Sequence, residues 1–74
     1  MATPDYIITN EDKINLINSH IRSIEINKYT CELIILEQNA LETKDEGAIE
    51  RANSQIVEFD AQLTALNAQK DLLK

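Results

Sequence analysis

Few side chains in this chain of 74 residues could do chemistry, and none stands in the company that chemistry needs. The only histidine, His20, would need a second ligand one helical turn away to hold a metal. No His, Cys, Asp or Glu lies three or four positions to either side of it. A lone helical histidine can carry a phosphoryl group, but the basic and small neighbours of such sites are missing here. The only cysteine, Cys31, falls in an apolar row with Lys28 as its nearest base, the setting of a small core residue rather than a nucleophile. Glu25 and Glu32 stand seven apart on one helical face, with Asn18 and Asn39 extending the row. Bundles that bind metals through such carboxylates use Glu-x-x-His, which is absent, so this row reads as a solvated face. The single Gly excludes a phosphate-cradling loop, and no nucleophile elbow is present. These residues predict no catalytic, cofactor or metal site, and a protein that is not an enzyme.

Composition restricts the elements that could hold any site. One Gly, one Pro, no Trp and 43% hydrophobic residues, mostly Ile, Leu and Ala, leave almost no turns and few aromatics. Sheets need both, so sandwiches, barrels and α/β folds are excluded and an all-α chain is expected. Thirteen acids against seven bases give a net charge of −6. The bases (Lys13, Arg22, Lys28, Lys44, Arg51, Lys70, Lys74) are isolated, so no nucleic-acid or anionic-membrane partner is expected. The longest apolar run, Leu33-Ile34-Ile35-Leu36, is far too short to span a bilayer, and Met1 to Tyr6 has no base of the kind a signal peptide carries. With a single cysteine no internal disulfide forms. The expected setting is a bacterial or infected-cell cytoplasm, or a virion. Ile outnumbers Val eleven to one and Asn is abundant, a composition that fits AT-rich, phage-like coding.

Along the chain, residues 1–8 read as an extended arm, with Pro4 disfavouring helix before it and Tyr6, Ile7 and Ile8 as an apolar patch in need of cover. Thr9 or Asn10 can cap a helix, and Thr9 with Asp12 has capping-box spacing. From there Ile14, Ile17, Ile21, Ile24, Cys31 and Ile35 step by three and four, broken only by Lys28. This is the a/d row of a heptad. The row stops near Gly47, where Thr43 and Glu46 can form a second capping box or Gly47 can end the first helix in a left-handed conformation. A second row follows in Ile49, Ala52, Ile56, Phe59, Leu63, Leu66 and Leu73, with Lys70 among them. Gln55, Gln62 and Gln69 flank it, amides where exposed coiled coils usually carry charge. Folding back at 43–47 sets Ile17 by Leu73, Ile24 by Leu66 and Cys31 by Phe59. The spacing thus predicts an antiparallel coiled-coil hairpin over 9–74: helix 1 at about 10–43, a turn at about 44–48 and helix 2 at about 49–73. One unbroken helical rod is the alternative. Lys28 and Lys70, on the seam, are expected to reach outward.

Helix 1 has more apolar surface than a hairpin uses. Ile26, Tyr29, Leu33, Leu36 and Ala40 form a second stripe well round the helix from the first, and Leu16, Ile34 and Leu41 add a third side. A chain this short buries only about 60% of the surface its unfolded form exposes, so it is marginal alone. Self-association into a helical bundle, with the second stripe and the Tyr6–Ile8 arm as the contact surface, is the expected remedy. The function expected is that of a homo-oligomeric structural or adaptor component, dimer or higher. The alternative is a small acidic regulator that binds one other protein.

Overall fold

The computed structural model describes residues 7–74, and within them the chain is two α-helices packed against each other, α1 (Asn10–Asn39) and α2 (Glu46–Leu72). Its principal extents are 65 × 22 × 14 Å. One unbroken helix from Asn10 to Leu72 would be about 95 Å long at 1.5 Å per residue, so the chain folds back on itself. Among the described residues there is no strand.

Local chemistry sets each helix end. At the start of α1, Thr9 Oγ1 accepts from the Asp12 N–H at 3.1 Å while the Thr9 N–H donates to Asp12 Oδ2 at 3.3 Å. This reciprocal box satisfies two of the amides that a helix N-terminus orphans. The turn falls earlier than Gly47. α1 ends at Asn39, the Ala40 N–H bonds back to Leu36 and Glu37, and Leu41 N–H bonds to the Gln38 carbonyl at 3.1 Å. Asp45, not Thr43, caps α2: its Oδ1 accepts from the Ala48 N–H at 3.1 Å, and its own N–H donates to Gln38 Oε1 at 2.8 Å. That last bond ties the end of α1 to the start of α2 and shortens the connection.

Three sequence expectations are corrected here. Gly47 is neither in the turn nor left-handed: it lies in the first turn of α2, and no described residue has positive φ. The Thr43–Glu46 box does not form, because Asp45 supplies a better-placed carboxylate. Ala40 and Leu41 are outside α1, as cap and turn, rather than in a helix running to 43.

The core is a single seam. In α1 every buried or half-buried side chain except Ile34 and Gln38 lies on the row Ile14, Ile17, Ile21, Ile24, Lys28, Cys31, Ile35. On α2, beyond its first turn, the row is Ile49, Ala52, Ile56, Phe59, Leu63, Leu66, Lys70, and it continues to Leu73 at the cap. Among the described residues only Cys31 and Ala52, each 3% exposed, are buried. Two helices remove one side of each other and no more, so a seam of this kind stays half wet.

Candidate interaction surface

Of the side chains that first suggested chemistry, Cys31 lies in the seam and His20 beside it. Cys31 is buried, and its Sγ–H donates to Gln55 Oε1 across the seam at 3.2 Å. One of the flanking glutamines thus satisfies the thiol. His20 is exposed and, with Ile24, Gln62, Ala65 and Leu66, lines a shallow depression between the helices. No group of three metal-ligating side chains occurs among the described residues.

The two seam lysines each find an oxygen on the other helix. Lys28 Nζ lies 2.7 Å from Asp60 Oδ1, and Lys70 Nζ donates to Asn18 Oδ1 at 3.0 Å. The hydrogen bond and charge of Asp60 raise the Lys28 pKa above its ordinary 10.5, partial burial opposes the shift, and Glu32 and Glu25 add to it. Because the Lys28 side chain keeps 31% of its exposure and Asp60 keeps 53%, the pair is well hydrated and serves chiefly to fix how the helices meet. Asn18, assigned in the sequence to a solvated row with Glu25 and Glu32, is exposed and also bridges the helices at the open end of the hairpin.

The hairpin also leaves apolar side chains uncovered. On α1, Ile26, Tyr29, Leu33 and Leu36 are exposed, Tyr29 at 60% and Leu36 at 66%, and Ala40 follows them past the helix end. At about 100° per residue this stripe is centred about 130° round α1 from the seam, beyond the reach of α2. Ile34 is half-buried, while Leu16 and Leu41 are exposed on the remaining side. In the arm, Ile7 and Ile8 are exposed and non-helical; Tyr6 lies outside the described residues.

Sequence reasoning missed a counterpart on α2. Val57 and Leu72, 69% and 78% exposed, join the exposed Ala61, Ala65 and Ala68 in a row stepping by four, four, three and four. In the sequence Ala61, Ala65 and Ala68 can be helix filler or can permit close approach of another helix; Val57 and Leu72 stand at the two ends of the same row. Both helices therefore carry an outward apolar stripe, broad on α1 and shallow on α2. Neither helix is long and apolar enough to cross a membrane. No family model, no curated protein and no solved structure matches the chain.

Proposed function

We propose that this chain is a non-enzymatic helical-hairpin module that self-associates and serves as a structural or adaptor component through protein–protein contacts. The observation that carries the reading is the mismatch between core and surface. Among the described residues two are buried, whereas ten large hydrophobic side chains remain exposed, four of them in one stripe on α1. Apolar area contributes about 25 cal/mol per Å² when removed from water, so covering Tyr29, Leu33 and Leu36 stabilises an assembly by several kcal/mol before ordering costs. Contiguous apolar patches of this kind on small domains mark interaction sites. A second copy brings the same stripe at equal concentration, and homo-oligomers of small helical hairpins form bundles by this route. The Ile-rich, Asn-rich composition suits a phage source, and with it a role in a particle or its assembly.

Size-exclusion chromatography with light scattering tests the reading on the full chain over a dilution series. The expected mass is two or more times the 8.4 kDa of the chain. A mass of one chain at every concentration contradicts self-association and leaves the acidic-regulator alternative, for which the net charge of −6 would favour a basic partner.

A further inference from the structure

We infer that the α1 stripes of two copies pair antiparallel, about a twofold axis between Tyr29 and Leu33, with Arg22 of each copy against Glu37 of the other. This deepens the self-association reading and rests on it. A twofold interface must be complementary to itself, since one surface plays both parts. The α1 stripe meets that condition in one orientation.

Extended one step toward its N-terminus, the stripe begins at Arg22, which shares a surface depression with Glu25, Ile26, Tyr29 and Thr30. At its other end the acid Glu37 directly follows Leu36. Base at one end and acid at the other give like ends when two copies run parallel and unlike ends when they run antiparallel. In the parallel arrangement Arg22 layers on Arg22, and heptad geometry brings Glu32 against Glu37 on both flanks. Antiparallel pairing layers Ile26 on Leu36 and Tyr29 on Leu33, and brings Arg22 beside Glu37 twice.

The register follows from coverage. A slip of one heptad sets Leu36 against Ser19 in one direction, and carries Ile26 beyond the end of α1 to Thr43 in the other. Centred between Tyr29 and Leu33, every large apolar side chain of the stripe meets another. Thr30 then faces Thr30 near the axis, and its hydroxyl is already satisfied by the Ile26 carbonyl at 2.9 Å, so it brings no unpaired polar group to the contact. On the other flank Glu32 faces Glu32, the one unfavourable contact of this arrangement. Lys28, one helical turn before Glu32 on the same face, moderates that repulsion.

Charge exchange between Arg22 and Glu37 tests the pairing in the full chain. The two residues lie about 22 Å apart along one helix, so they cannot meet within a copy. Arg22→Glu and Glu37→Arg are each expected to raise the self-dissociation constant about tenfold, and the double exchange to return it to within about threefold of the wild type. Glu32→Gln is expected to lower it. Arg22 and Glu37 are exposed. At concentrations far above the dissociation constant, where the single variants are still assembled, helix content by circular dichroism should therefore stay at the wild-type level and show that the substitutions leave the hairpin intact. Assembly unchanged in the single variants, or unrestored in the double exchange, overturns this pairing while leaving self-association standing. A wild type that stays monomeric at every concentration overturns both.

Discussion

Two residues show how little the character of a side chain decides before its neighbours are known. Gly47 reads as a turn residue from its type, yet it sits in the first turn of α2 with negative φ. A Cβ added there would stand 3.3 Å from the Arg51 guanidinium, a flexible end, and 3.3 Å from Asp45 Oδ1, the capping oxygen, which must give by only a few tenths of an ångström. Gly47→Ala should therefore raise stability by about 0.5 kcal/mol, through helix propensity and a less flexible unfolded chain. Thermal melts of the two proteins check this, and a loss of stability would mean that the added Cβ displaces the Asp45 cap. Lys28 supplies a second prediction. Its folded pKa is raised, so the Lys28–Asp60 contribution is fully present below the unfolded value of 10.5 and is lost as pH rises through the folded value. Urea melts at pH 9 and about pH 11.5 should show wild type losing more stability over that interval than Lys28→Met. Equal losses would remove Lys28 from the alkaline response.

At the scale of the element, the helices and their fold-back were legible because they depend on repetition. Ile14 to Ile35 and Ile49 to Leu73 step by three and four over many turns, and a chain with one Gly and one Pro has few other ways to organise such rows. The turn was less legible because it depends on single bonds. Gly47, Thr43 and Glu46 carry the right types for a break, but the Gln38 side chain and the Asp45 carboxylate close the connection a few residues earlier. No period announces a contact between residues seven apart across a turn. The stripe on α2 went unread for a different reason, since three alanines look neutral unless the exposed Val57 and Leu72 are placed on the same face. Asp45 is the natural probe of the turn. Asp45→Ala should cost about 1 kcal/mol by leaving the first amides of α2 without their cap, and denaturant melts would measure it. An unchanged midpoint would show that water replaces the carboxylate at no cost.

For the whole molecule, the governing fact is that one seam cannot bury two amphipathic helices of which one is apolar on several sides. The chain folds into a hairpin 65 Å long in which, among the described residues, only Cys31 and Ala52 are buried, and four of its exposed side chains, Ile26, Tyr29, Leu33 and Leu36, lie in heptad phase on α1. Scattered apolar residues are ordinary on any surface; on the proposed reading, a phased row is the face that a second copy covers. Stability and assembly are therefore expected to be one property, with the melting temperature rising with protein concentration. The most direct measurement is light scattering with circular dichroism on the double variant Leu33→Asp with Leu36→Asp, which places carboxylates in the α1 stripe without touching the seam. Loss of the assembly, together with a large fall in helix content, is the outcome that covering this stripe requires. A double variant that kept the wild-type mass and melting temperature would contradict it.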